Sequence, residues 1–367
     1  MFWPMTNAFT ASLSVPAGAP DTAARRDRAV GLWLLACAAM IFVMVLIGGI
    51  TRLSGSGLSI MEWKPLMGAL PPLSTAEWDR VFALYREIAQ YKHINAGMTL
   101  DEFKGIFWWE WSHRLWGRLI GLVFFAPFLF FLVKGWLRRS WAPRLGAIFL
   151  MGALQGFIGW YMVASGFEDR TSVSQYRLVL HLGMALIIYA LILWSALDLL
   201  QPAPLTGDRE RAGSLARHVR VLLACVALEL GLGGLVAGLH GGLIYNDFPL
   251  MNGAWVAPDV FAGSPWWTSA TEDPGTAQFL HRLGALLVTV VLLALAWRGL
   301  RAALPAPLPR RFVLLLAALV LQVALGITTL MLVVPLPLAV LHQGGAVVLL
   351  SATLYLLHGL KRIGAHG

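Results

Sequence analysis

The sequence predicts an all-α polytopic membrane protein, with eight transmembrane helices arranged as two pseudo-symmetric four-helix bundles. Composition gives the first indication. Of 367 residues, 58% are hydrophobic and 13% charged, and the mean hydropathy is +0.70. A soluble domain carries about 25% charged residues. Eight apolar runs long enough to span a bilayer follow one another, at roughly 30–50, 114–133, 144–164, 177–199, 218–240, 278–297, 312–333 and 337–358. Basic residues then sort the connections by side. Arg25, Arg26 and Arg28 precede the first span, and Lys134, Arg138, Arg139 and Arg144 follow the second. Arg209, Arg211, Arg217 and Arg220 follow the fourth, Arg298, Arg301, Arg310 and Arg311 the sixth, and Lys361 and Arg362 the eighth. The connection 241–277 has no Lys or Arg but carries Asp247, Asp259, Glu272 and Asp273. This pattern places both termini in the cytoplasm and the odd-to-even connections outside. The net charge of +9 is therefore topological, which excludes a nucleic-acid partner.

Residues 1–28 are rich in Ala, Pro, Ser and Thr and read as a disordered cytoplasmic tail. The first span follows "AARRDR", without a short apolar run ending at a small-residue cleavage site, so it reads as retained. In the first outward connection, 51–112, Ser74 and Glu77 have capping-box spacing ahead of an amphipathic run. Thr99 and Glu102 repeat the spacing and predict a helix that runs unbroken into the second span. The connection 241–277 is rich in Gly, Pro and Trp and reads as irregular. Trp63, Trp108, Trp109, Trp255, Trp266 and Trp267 gather on the outer side as interface anchors. Cys37 and Cys225 both fall inside spans and read as small buried hydrophobes, not as a disulfide.

The bundles are duplicates. "GGITRLSGSGLSIMEWKPLMGAL" at 48–70 matches "GGLVAGLHGGLIYNDFPLMNGAW" at 233–255. "HRLWGRLIGLVFF" from His113 matches "HRLGALLVTVVLL" from His281, and "LQGFIGWYM" from Leu154 matches "LQVALGITT" from Leu321. "YRLVLHLGMALII" at 176–188 matches "PLAVLHQGGAVVL" at 337–349. Four correspondences in one order mark a duplicated four-helix unit. Four spans per unit is even, so the halves share an orientation and an axis along the membrane normal relates them. The N-terminal bundle is placed at 29–205, the C-terminal bundle at 206–360, and a cytoplasmic tail at 361–367.

His113, His181, His281 and His342 each lie in the first turns of an even-numbered span, near the outer surface, two per half. A pair of imidazoles from facing helices provides bis-His axial ligation of haem iron. Zinc is a weaker alternative, because a catalytic zinc takes three protein ligands and often a carboxylate. Arg114 and Arg282 directly follow a histidine, and Arg177 stands four residues before His181. Guanidinium pairs bidentately with carboxylate, so these arginines are candidates for the two haem propionates. The alternative for each is snorkelling to headgroups or water. Glu110 stands three residues before His113, on the same helical face, and Gln278 occupies the matching place before His281. A carboxyl there can move protons and an amide cannot, which assigns chemistry to the first half and a resident redox cofactor to the second. The alternative for Glu110 is a salt bridge to Arg114. His240 ends the fifth span with no counterpart in the first half, where Gly55 aligns, and is placed near the second cofactor.

The segments "EWKPLMG", "FKGIFWWEWSHRLWGRLIG", "YRLVLHLGMAL", "GLIYNDFPLMNG", "QFLHRLGA" and "PLAVLHQGGA" resemble the haem A synthase family, including its mitochondrial and alphaproteobacterial forms, over roughly residues 30–360. The resemblance implies oxidation of a ring methyl of haem O to a formyl group, giving haem A for cytochrome oxidase assembly. It implies that His113 and His181 frame the substrate haem O and that His281 and His342 ligate a haem b. It implies a catalytic role for Glu110. It also implies a multi-pass address in the bacterial inner membrane with the haem sites toward the periplasm. Expected partners are haem O synthase, oxidase assembly factors, an electron acceptor, the lipid bilayer and other copies of the chain. Some relatives carry a cysteine pair in the first outward connection, and this sequence has none there. Two rival readings share parts of the pattern. A quinol-linked di-haem b-type cytochrome would use the four histidines but has no need of the Glu/Gln asymmetry. A transporter would place acidic residues at the midplane, where only Glu229 qualifies, Asp198 being near an inner end.

Overall fold

The computed structural model describes residues 19–63, 67–167, 170–201, 203–263 and 265–364. Among them are eight helices long and apolar enough to cross a membrane. In chain order the helices are α1 (Ala19–Leu53), α2 (Thr75–Arg86), α3 (Ala89–His93), α4 (Leu100–Val133), α5 (Trp141–Ala164), α6 (Gln175–Leu200), α7 (Arg209–Gly238), α8 (Trp266–Glu272), α9 (Pro274–Arg301), α10 (Leu308–Met331) and α11 (Leu336–Lys361). Helices α2, α3 and α8 are the short ones; the other eight are the spans. The chain is thus an all-α multi-pass membrane protein.

Helix starts follow local chemistry. Ser74 and Thr99 each close a capping box, with Glu77 and Glu102 as the reciprocal partners. Helix α4 therefore begins at Leu100 and projects beyond the apolar run, as its spacing predicts. Asp208 caps α7 by accepting the Arg211 N–H, and Asp273 caps α9 ahead of Pro274. The connection 241–277 is largely irregular, but it carries a 3-10 turn at Gly241–Leu243, a bridge between Met251 and Ala254, and the short helix α8, which its composition did not announce. The helix ends where Asp273 turns to cap α9. Helix α1 begins at Ala19, inside the stretch read as a tail, and Asp27 pairs there with Arg138. Residues 1–18 lie outside the described residues. At the other end, Ile363–Gly364 pair in parallel with Leu205–Thr206 instead of trailing free.

The two halves build the same ring. α1 packs on α4, α4 on α5, α5 on α6, and α6 back on α1; α7, α9, α10 and α11 repeat the circuit. The seam between rings is also symmetric: α6 packs on α7 and α1 on α11. One continuous apolar core fills the seam and the basic end of both rings, from Val30 and Leu34 through Ile192 and Leu222 to Leu292, Leu315 and Leu356. At that end Asp198 accepts from Arg144 and approaches His358 Nε2, each at 3.0 Å, while Arg311 and Arg362 both donate to the Gln201 side-chain Oε1. These contacts tie α5 to α6 within the first ring and α10–α11 to the end of α6 across the seam. A separate cluster of Leu58, Tyr85, Ile88, Phe103 and Phe107 roofs the first ring on the outer side. Tyr245, Met251 and Ala257 roof the second. Trp63, Trp108, Trp109, Trp255 and Trp267 stay exposed, as interface anchors require; the Trp266 side chain lies outside the described set. Cys37 and Cys225 are free.

Candidate functional site

The four histidines sit between the apolar core and the outer roofs. His113 lies on α4, His181 on α6, His281 on α9 and His342 on α11, all half-buried. Each ring rests against a glycine of the neighbouring helix in its own bundle. A Cβ built on Gly48 would lie 3.3 Å from His113 Nε2, and one on Gly159 would lie 2.9 Å from His181 Cε1. In the second half the Gly233 position lies 3.2 Å from His281 Cε1 and the Gly326 position 2.8 Å from His342 Cε1. Spans normally bring side chains together; here the missing side chain lets an edge of the imidazole approach the next backbone. The glycine pairs divide their work. Gly48 and Gly233 face the histidine of their own half. Gly49 and Gly234 face the other half, where added Cβ atoms would stand 2.8 Å from Gln343 Oε1 and 2.9 Å from Val179 Cγ2. Gln343, next to ligand candidate His342, crosses the seam to donate to the Val45 carbonyl at 2.7 Å. Ligand helices and seam are therefore one construction.

His281 and His342 have ring centroids 6.3 Å apart and planes at 78°. With metal–nitrogen bonds of about 2 Å and a centroid roughly 1 Å behind each nitrogen, a linear imidazole–metal–imidazole sandwich separates centroids by about 6 Å. The second-half pair thus fits an iron held from both sides. In the first half, Gln155 donates its amide to the His181 carbonyl at 3.0 Å and lies 3.1 Å from Nδ1, holding that ring in place. No cluster of three or more His, Cys, Asp or Glu suited to a bare metal ion occurs among the described residues.

Glu110 and Gln278 are 3% and 2% exposed, so every polar atom they carry must be satisfied by protein. Both are, with opposite polarity. Glu110 Oε2 accepts from the Ser59 hydroxyl and the Ile60 N–H, each at 2.8 Å, and Oε1 accepts from Arg114 at 2.5 and 3.0 Å. Gln278 instead donates its amide to the carbonyls of Gly241 and Tyr245, at 2.9 and 3.2 Å, and accepts from Arg282 at 3.1 Å. The carboxylate faces donors and the amide faces acceptors. Gln278→Glu would therefore turn a buried carboxylate toward two carbonyls, and it should cost roughly 3–5 kcal/mol. A thermal unfolding midpoint that stays at the wild-type value would refute this pairing.

Arg114 and Arg282 prove to be staples. Arg114 donates to the carbonyls of Ile60 and Glu62, and Arg282 to those of Tyr245 and Asp247, the same places in the repeat at an offset of 185. Arg282 also reaches the Leu250 carbonyl at 2.7 Å. These donors, expected to meet propionates, also hold the connection that leaves the preceding odd span, while Arg282 Nε is buried with no partner among the described residues. Asp247 strengthens the second staple: the N–H groups of Asn252 and Gly253 hold its carboxyl below the usual carboxylate range. Arg177 donates to the Tyr161 carbonyl at 2.8 Å and lies over the Tyr161 ring, fastening α6 to the end of α5. His240 stands two residues beyond α7 in a left-handed conformation, φ 55°. Burial, and then the nearby Arg52 guanidinium, push its imidazole down from the usual histidine value.

Sequence comparison places this architecture. The family model described as cytochrome oxidase assembly protein matches residues 31–354, nearly the whole of both rings. The chain is 49% identical over 351 residues to a haem A synthase of Rhodospirillum centenum, covering 95% of this chain and 93% of the relative. It is 48% identical to one of Nitrosospira multiformis, covering 92% and 94%, and 45% identical to one of Nitrosomonas eutropha, covering 95% and 99%. The chain belongs to the haem A synthase family. The haem A synthase assignment agrees with two bundles whose histidines recur in register. The glycines against those rings, by contrast, escape sequence reasoning. The signal was present in "LQGFIG" and "LQVALG", where Gly159 and Gly326 each follow the glutamine by four residues.

Proposed function

We propose that the protein is an oxidoreductase that converts haem O to haem A by oxidising a ring methyl to a formyl group. The observation that carries this reading is family membership across both rings, joined to the paired imidazoles of His281 and His342. In this reading the bundles are 29–205 and 206–360, and the first takes the substrate. His113 and His181 hold the substrate iron, while the farnesyl tail of haem O remains in lipid. His281 and His342 would hold a haem b, which when bound supplies one-electron redox chemistry. The termini face the cytoplasm and the haem level faces the periplasm, as the basic residues sort them.

The chain's own contribution centres on Glu110. Methyl oxidation in two-electron stages takes one water molecule per stage as its oxygen source, giving an alcohol and then a hydrated aldehyde that returns one water on forming the formyl group. Each stage releases protons as its electrons pass to an acceptor. Arg114 grips Oε1 of Glu110, leaving Oε2 to exchange a proton with the Ser59 hydroxyl. Ser59 lies in the segment that follows α1 and is itself buried. Gln278 in the second half has no such capacity, which fits a resident cofactor there. The staples of Arg114 and Arg282 fasten the segments that follow α1 and α7 to α4 and α9. Substrate would come from haem O synthase, and product would go to oxidase assembly factors.

The test is expression in cells that make haem O but lack haem A, followed by pigment extraction and mass identification. Haem A beside haem B is the expected outcome. Haem B without any haem O or haem A would favour the electron-transfer cytochrome instead.

A further inference from the structure

Glu229 is the carboxylate that neither the latches nor the proposed proton path uses. It lies in α7, one turn before Gly233, with its side chain 17% exposed. Its Oε1 is 2.8 Å from Nδ1 of His281. The ring nitrogen is within reach but not yet on the N–H line, and Nδ1 has no other partner among the described residues. Oε2 is buried and also unpartnered, lying over Gly284, where a Cβ would come within 2.1 Å of it. A glycine on α9 thus makes room for a carboxylate from α7 directly behind a ligand candidate. Carboxylates at membrane depth are costly and persist where they have a partner or a task.

The repeat shows what this position is without the carboxylate. Glu229 precedes Gly233 by four residues, and Met44 precedes Gly48 by four. Met44 packs its methyl toward Gly117, 3.2 Å from the Cβ position there. The repeat position that holds an acid in the second half thus holds a thioether in the first. Besides Glu110 and Gln278, this is a second chemical difference between the two halves.

We infer that Glu229 is a positioning residue for His281: it accepts the Nδ1–H, directs Nε2 to the metal, and sets the second haem site at a lower reduction potential than it would otherwise have. The inference rests on the reading that His281 and His342 hold a haem b. The physical route is general. A carboxylate on the far nitrogen fixes the tautomer and raises the basicity of the ligating nitrogen. A more basic axial ligand favours ferric over ferrous iron.

The experiment is a redox titration of purified holoprotein for wild type, Glu229→Gln and Glu229→Met, with haem content measured by pigment extraction. Glu229→Met installs the first-half residue. It should raise the haem b reduction equilibrium about tenfold, which is about 59 mV for a one-electron couple. Glu229→Gln, which can still accept the N–H but without charge, should raise it less. Haem content in Glu229→Gln should match wild type. If Glu229→Met loses haem b, a raised potential in Glu229→Gln alone still supports the inference. Full haem b content with a wild-type potential in Glu229→Gln and no rise in any haem-retaining Glu229→Met overturns it. Wild-type protein free of haem b would instead remove the reading beneath it.

Discussion

Glu110→Ala should lower haem A formation by about 10²–10⁴-fold, the range expected when a proton-transferring group is removed. It should also loosen the outer roof. The substitution leaves the Ser59 hydroxyl, the Ile60 N–H and the Arg114 guanidinium without their shared acceptor in a site that is nearly dry. Removing one partner of a buried ion pair costs roughly 3–5 kcal/mol. Two readouts separate these effects. Glu110→Gln keeps an oxygen for Arg114 but turns an amide N–H toward the Ile60 N–H, a mismatch worth roughly 1–3 kcal/mol. Its haem O content should stay near wild type while product formation falls almost as far as in the alanine variant. Wild-type haem A production by either variant would mean that Glu110 is a latch and nothing more.

Gly326→Val should strip the second bundle of its haem while leaving the fold in place. A Cβ at this position meets His342 Cε1 at 2.8 Å, closer than side-chain carbons tolerate, and valine adds two methyls behind it. Overpacking strain of roughly 1–3 kcal/mol falls directly on a ligand's orientation. His342 must swing, and the 6.3 Å spacing to His281 is lost with it. Haem B per chain should drop about tenfold. Gly152→Val is the matched control, since nothing lies within 4 Å of a Cβ there. Equal haem B content in both variants would show that the glycine contact is incidental.

Local rules made much of this molecule legible in its sequence. The capping boxes at Ser74 and Thr99 depend on residues three apart, and both formed where the spacing placed them. The spans and the repeat are carried by hydropathy and by order, which survive any uncertainty in packing. The histidines were visible because duplication printed each of them twice. What stayed hidden depends on atoms that a sequence does not place. Arg114 and Arg282 read as propionate ligands because guanidinium suits carboxylate, and the sequence did not show that they also donate to backbone carbonyls of Ile60, Glu62, Tyr245 and Asp247. Every residue has such a carbonyl, so nothing in the side-chain code marks these. Glu229 read only as an isolated mid-span acid, because its proximity to His281 requires the register of α7 against α9. Gly159 and Gly326 looked like ordinary small residues of a packed span until the rings against them were seen. The polarity reversal between Glu110 and Gln278 was half legible: the identities were plain, and the donors and acceptors facing them were not.

The central claim is that duplicated bundles each clasp an iron macrocycle between paired imidazoles. Low-temperature electron paramagnetic resonance of the oxidised, purified protein tests it most directly. Near-perpendicular rings, as at His281 and His342, predict a highly anisotropic low-spin ferric signal that His342→Ala converts to high-spin or abolishes. If that highly anisotropic component keeps its full intensity when both His281 and His342 are replaced by alanine, the claim is contradicted.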